Sequence, residues 1–290
     1  LKPPVPASVP VSFWLSAPQA NPVLIPKGTE VASTQTETKP SVIFTTSADF
    51  KIQPPVLKAV HSRTASNDGS KKVFSEINLR RLESGFEGFY IFSRAPQVDD
   101  ALYFGFENDL SEHILGIDMD CDPAGGAGVD PTMPPYEWEA STGLEEPRWR
   151  RCEVESDTTK GMNVTGQIQI HLPRLGRYTT SGQNLYWVRV RVKEISAPEA
   201  EQGMRPYQVS PRFRKAEVSS WGGSTNATHS RTVVNEMIGV SDGSPGQRFR
   251  VQFTPILERQ EDERLVVQAN GMLPHVWKEV ADFSSSTLVN

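Results

Sequence analysis

The chain has 290 residues with a net charge of −5, and 37% of them are hydrophobic and 9% aromatic. This apolar content excludes a disordered chain, and the weakly acidic balance excludes the basic face that a nucleic-acid binder needs. No apolar run approaches the roughly 18 residues of a membrane-spanning helix, so neither nucleic acid nor a membrane span is expected.

The first residues, LKPPVPASVP, lack the apolar segment of a signal peptide. Residues 23–46 read VLIPKGTEVASTQTETKPSVIFTT. They contain a turn at Pro26-Lys27-Gly28-Thr29, a polar run, and a strand core at Val42-Ile43-Phe44. Asn-Asp-Gly within residues 66–72 predicts a hairpin turn. Leu102, Phe104 and Phe106 share one face of a run, and FENDLSEHI has room for one helical turn. Leu115, Ile117, Met119 and Cys121 then alternate with Asp118, Asp120 and Asp122. Further on, Ile168, Ile170 and Leu172 alternate with polar residues, as do Tyr186, Val188, Val190 and Val192. Residues 157–161 and 179–184 carry turn chemistry between these runs. Residues 195–211 look like an exposed connection. Residues 230–239 place Val233, Val234, Met237 and Ile238 on one helical face before Gly239. Phe249, Val251 and Phe253 return to period two.

Period two predicts strands with one buried and one wet face, as in antiparallel sheets. The 23 prolines and 21 glycines punctuate many short strands and oppose long helices. The fold class expected is therefore mainly β, with antiparallel β-sandwich domains and few short helices. Three units are expected: residues 1–62, a sandwich over 63–204 and a continuation over 205–290. Chain order leaves open whether the middle unit is inserted into the other two. Cys121 and Cys152 are expected as buried thiols rather than a disulfide.

Four patterns bear on chemistry. Gly239-Val-Ser241-Asp-Gly243 matches G-x-S-x-G, with Asp262 or Glu263 and His275 downstream. That motif works only where a strand of a parallel sheet runs through a sharp turn into a helix, and this background is absent. Asp118, Asp120 and Asp122 present oxygens of the kind calcium prefers. An EF-hand needs Gly and Glu where this chain has Pro123 and Val129, so a solvated strand face explains the cluster better. The five histidines have no zinc-ligand spacing. Tyr136, Trp138, Trp149 and Trp187 remain as candidate contacts, either for sugar rings or for a protein interface. Trp187 is expected on the charged, solvent-facing side of its strand. No catalytic residue, metal or cofactor follows from these patterns.

The series VLIPKGTEVAS…SVIFTTSADF, GAGVDPTMPPYEWEAS…RWRRCEVESDTTKGMNVTGQIQIHLP, RTVVNEMIGVSDGSPGQRFRVQFTPIL and HVWKEVADFSSS resembles the baseplate J-like proteins of contractile phage tails and related injection systems, in their long baseplate assembly branch. Each element alone is mostly turns and strands; their order over residues 13–290 carries the resemblance. It implies a non-enzymatic wedge component that holds a baseplate together and links hub to sheath. Its implied partners are other wedge subunits, further copies of itself, and hub, spike and sheath proteins. Assembly in the bacterial cytoplasm into a tail-like particle or virion baseplate is implied as well. A sequence that begins with Leu and ends SSSTLVN is expected to be a piece of a longer protein. Members of this branch usually continue past the D-F element into a strand and an F-G-D-G-like turn, which would lie beyond Asn290. A carbohydrate-binding β-sandwich module is the alternative.

Overall fold

The computed structural model describes residues 5–35, 40–65, 72–122, 129–143, 146–231, 233–257, 263–269, 271–277 and 280. The strands in chain order begin with β1 (Ser8–Trp14), β2 (Val23–Ile25), β3 (Glu30–Ala32), β4 (Ile43–Thr46), β5 (Phe50–Ile52), β6 (Leu57–Ala65) and β7 (Lys72–Ile77). After the short helix α1 (Leu79–Ser84) come β8 (Phe89–Tyr90), β9 (Ala101–Phe106), β10 (His113–Cys121), β11 (Tyr136–Ser141), β12 (Trp149–Arg151) and β13 (Glu153–Asp157). β14 (Gly166–His171), β15 (Arg177–Thr180) and β16 (Gln183–Val192) precede α2 (Ala197–Glu201). The chain continues through β17 (Arg212–Thr228), β18 (Leu265–Val267) and β19 (His275–Trp277).

Two large antiparallel sheets face each other. One runs β13-β14-β10-β17-β4-β3, with β1 and β8 also on β17. The other runs β12-β11-β16-β9-β6-β7, with β15 on β16. The core between them joins Leu115, Ile117, Ile168, Ile170 and Phe213 of the first sheet to Val60, Phe104, Trp138, Val188 and Val190 of the second. The alternation in β10, β14 and β16 therefore selects the core face as expected. Burial of these side chains contributes about 25 cal/mol per Å² of apolar surface.

Cys121 and Cys152 are both buried free thiols, and burial pushes each up to about 12. The turn between β15 and β16 is a two-residue hairpin. Thr180 pairs with Gln183, and both Ser181 and Gly182 adopt positive φ, the geometry that matches strand twist. The Asn67-Asp68-Gly69 turn lies outside the described residues, although β6 and β7 pair on either side of it.

Several expectations are corrected. Residues 230–239 form no helix among their described members, nor does FENDLSEHI, and residues 249–253 form no strand. Helices occur instead at α1 and α2. Asn78 caps α1 by accepting the Arg81 N–H, and Ser196 and Glu199 form a capping box on α2. The stretch 195–211 is anchored rather than free. Tyr207 is buried in the core and its hydroxyl donates to the Gly161 carbonyl at 2.9 Å. β6 runs through residue 62, and β17, which begins eight residues after residue 204, pairs with β10, β1 and β4.

Both faces of β9 are buried, not one. On its outer face Gly105 lies between Trp187 of β16 and Ala59 of β6. A Cβ at Gly105 would stand 2.7 Å from the Trp187 ring, so the indole lies flat only because that position is bare. Gly105→Val should cost about 1–3 kcal/mol by overpacking, read as a lower urea midpoint with an unchanged m-value.

Candidate functional site

The outer face of the β11-β16-β9-β6 sheet carries Trp149 and Trp187, two of the four candidate aromatics, with their charged neighbours. Antiparallel register sets Glu137 opposite Arg191 and Glu139 opposite Arg189. Tyr103 lies opposite Arg189 on the next strand, with His61 beyond it. Opposite charges at directly facing positions attract across the ladder.

Arg189 bonds Glu139 at 2.7 Å and donates to the Tyr103 hydroxyl at 3.1 Å. Its guanidinium stacks 3.8 Å above the Trp149 ring. Arg191 reaches Glu139 at 3.0 Å, Asp99 at 2.8 Å, and Glu137. Burial alone would raise the Glu139 carboxyl, but the hydrogen bonds and charges of Arg191 and Arg189 outweigh it and hold Glu139 below its usual value. Asp100 is lowered in the same way: burial opposes ionisation, and Lys72, Ser93 and the Gln97 N–H overcome it.

Trp187 is fully buried in this face, not exposed as expected. It clusters with Ala59, Ala101 and Tyr103 under the half-buried Trp149, Tyr178 and Leu185. Its indole N–H donates to the Tyr178 carbonyl at 2.8 Å. Tyr136 and Trp138 face the opposite way, into the core. Trp138 stacks on Phe104 at 6.2 Å between centroids. The Tyr136 hydroxyl donates to Asp157 at 2.6 Å, and burial, with the nearby Asp157 charge, raises this phenol well above its usual value. The four aromatics thus split between the two sides of one sheet and do not line a common cleft. Sequence reasoning missed Tyr103, Arg189 and Glu139 as a unit. Their alternation was visible, but their cross-strand partners lie far away in the chain.

A second constellation is the turn at the head of residues 23–46. The Thr46 hydroxyl donates to the Pro26 carbonyl at 2.7 Å and accepts the Thr29 N–H at 2.9 Å. The Gly28 N–H donates to the Thr46 carbonyl, and the Thr46 N–H to the Thr29 carbonyl, both at 3.0 Å. Asp49 accepts the Lys27 N–H at 2.7 Å. Gly28 sits at φ 86°, in the left-handed region that glycine tolerates. Pro26, Gly28, Thr29 and Thr46, with Asp49 tied in through the Lys27 N–H, therefore form one hydrogen-bonded knot that locks β3 and β4 to the turn before them. The strand itself is Ile43–Thr46; Val42 lies outside it and is exposed.

The remaining candidates are scattered. Ser241 lies in an exposed loop where its hydroxyl accepts the Gly243 N–H at 3.3 Å, and no strand–turn–helix surrounds it. His275 is on the exposed strand β19; Asp262 lies outside the described residues. Asp118, Asp120 and Asp122 face away from the core and accept from Gln167, Thr165 and Arg214 respectively. Among the described residues no group of three or more His, Cys, Asp or Glu is arranged to hold a metal ion. His61 is buried against Trp187, and neither ring nitrogen has a hydrogen-bond partner. No family model matches the chain, and no curated protein matches it.

Two measurements test these constellations. Thr46→Val keeps the shape of the buried side chain but removes both hydroxyl bonds, and should cost about 1–3 kcal/mol in chemical denaturation. Glu139 and Asp100 both have folded-state values below their unfolded ones, so their stabilising contribution is complete above the unfolded range. It is lost as pH falls through the folded values. Urea midpoints should decline modestly below about pH 6.5, where the unfolded chain protonates His113 and burial holds the folded imidazole below its usual value, and fall more steeply below about pH 4 as the carboxylates protonate. In Glu139→Gln the acid-side fall should be shallower.

Proposed function

We propose that this chain is a structural component of a contractile-injection baseplate, a wedge part that holds neighbouring subunits in place. The observation that carries the reading is the knot at Pro26, Gly28, Thr29, Thr46 and Asp49. Within the VLIPKGTEVAS…SVIFTTSADF element, Pro26, Gly28, Thr29 and Thr46 bond one another, and Asp49 accepts the neighbouring Lys27 N–H. Residues occupied in hydrogen-bonding one another suit a part whose task is shape. Stiff antiparallel sheets with sealed outer faces suit a particle that must transmit strain between subunits. Its proposed neighbours are other wedge subunits, further copies of itself, and hub, spike and sheath proteins, assembled in the bacterial cytoplasm.

The glycan-binding alternative draws less support. Stacking on a sugar needs an exposed aromatic face, whereas Trp138 and Trp187 are both buried and on opposite sides of the sheet. The deciding experiment is isolation of the native particle from the source cells. The tagged chain should sediment in a megadalton assembly and appear at the base of tail-like objects by electron microscopy. A monomeric chain in cells without such objects overturns the reading. Glycan-dependent quenching of tryptophan fluorescence would favour the alternative.

A further inference from the structure

Among the described residues, every buried apolar side chain lies between Ile52 and Ala227. The described residues of 231–280 contain none. Residues 233–253 instead fold back on themselves as an arm, with Arg231 beside them. Arg231 lies over the Phe253 ring at 5.5 Å, Glu236 accepts the Gln252 N–H at 2.6 Å, and the Phe249 ring sits against Gly239. At its tip Asp242 accepts the Ser244 N–H at 2.9 Å. Residues 248–253 have the alternation of a strand but no ladder partner. Phe249, Val251 and Phe253 are 45%, 37% and 49% exposed on one side of the pattern, with the exposed Arg248 and Arg250 on the other. A run of strand-patterned apolar side chains left in water marks an interaction segment rather than a finished surface.

The sheets offer edges to such a strand, and charge separates them. β13 is the last strand of its sheet and pairs only with β14. It carries Glu153 and Glu155 on either side of the exposed Val154. β12, at the edge of the other sheet, carries Arg150 and Arg151, which repel a basic strand. β3 has only three residues, and β7 mixes Lys72 with Glu76. The bulge and the acidic side chains of β13 keep such an edge from pairing with its own kind. They leave it open to a strand of opposite charge.

We propose that residues 248–253 of one copy add as a strand to the β13 edge of a second copy, placing Arg248 and Arg250 against Glu153 and Glu155. Main-chain bonds supply the affinity of strand addition, and the side chains supply the selectivity. Donor and acceptor are different surfaces, so the association is head-to-tail and extends or closes into a ring. The proposal concerns self-association of this chain and stands or falls separately from the baseplate reading.

Sedimentation velocity of the chain over a concentration series is the test. Oligomers should grow with concentration and weaken with salt. The double variants Arg248→Glu/Arg250→Glu and Glu153→Lys/Glu155→Lys should each lower the association constant about tenfold or more, because two exposed ion pairs become like-charge contacts. A mixture of the two variants should regain association, since each then presents an arm that suits the other's edge. All four substituted side chains are exposed, but Glu155 also bonds His171 at 2.9 Å, so the arm variant should match the parent's urea midpoint and the edge variant should fall below it by no more than the small loss of one exposed pair. Should a variant fail to fold, mixing an Arg250→Cys copy with a Glu155→Cys copy should give an intermolecular disulfide under mild oxidation. A chain that stays monomeric overturns the proposal. So do oligomers that neither double variant weakens, a mixture that stays dissociated, or cysteine copies that do not cross-link.

Discussion

Seventeen consecutive residues of β17 present backbone donors and acceptors on both edges, and in a buried sheet those groups must be paired. This requirement organises the first sheet. The start of β17 pairs with β8, its middle with β10, and its end with β1 and β4. Strands from the first fifty residues are thereby fixed to one that ends at residue 228. The close approach has a visible cost in sequence choice: a Cβ at Gly222 would stand 2.2 Å from the Phe13 carbonyl oxygen. Two irregularities in the β10 register let the long strand follow its partners.

A similar solution closes the outer faces of both sheets. Trp187 lies over Gly105 in one, and Trp221 over Gly116 in the other. Trp221 falls at a register shift between β17 and β10, where Ser220 pairs with Leu115 and Gly222 with Ile114. The extra residue there aims its ring across the neighbouring strand. A tryptophan on a bare backbone buries a large apolar area without needing another layer of structure. The sandwich body is therefore covered mostly by its own side chains, and the apolar surface left in water is concentrated in residues 231–280.

The charged groups follow the same geometry. Glu137, Glu139, Arg189 and Arg191 interlock because antiparallel register brings alternating acids and bases face to face. Paired and hydrogen-bonded, these ions tolerate partial burial that single charges would not. Their arrangement braces the sheet, and it offers no nucleophile with an adjacent base. The turn knot braces the other sheet through main-chain groups. In a particle that moves under load, such cross-braces would keep each sheet from shearing. This is the physical sense in which the proposed wedge role suits the fold.

The sequence by itself determined the class of structure. Period-two alternation fixed which face of β10, β14 and β16 meets the core, and the Ser181-Gly182 pair fixed a tight hairpin. Both are local properties of the backbone and of side-chain direction, and they need no distant partner. It also placed the order of turns and strands along the chain that carries the family resemblance. Only the tertiary structure decided what covers the other faces. Trp187 looked exposed because its neighbours in sequence are charged, but its burial depends on Gly105 and Ala59, contributed by strands some 80 and 130 residues earlier. Residues 249–253 show the converse: their alternation is as regular as that of β16, yet a strand exists only where another edge completes its hydrogen bonds. Pairing across long chain separations leaves little trace in one sequence, and it is what separates a sealed face from an open one here.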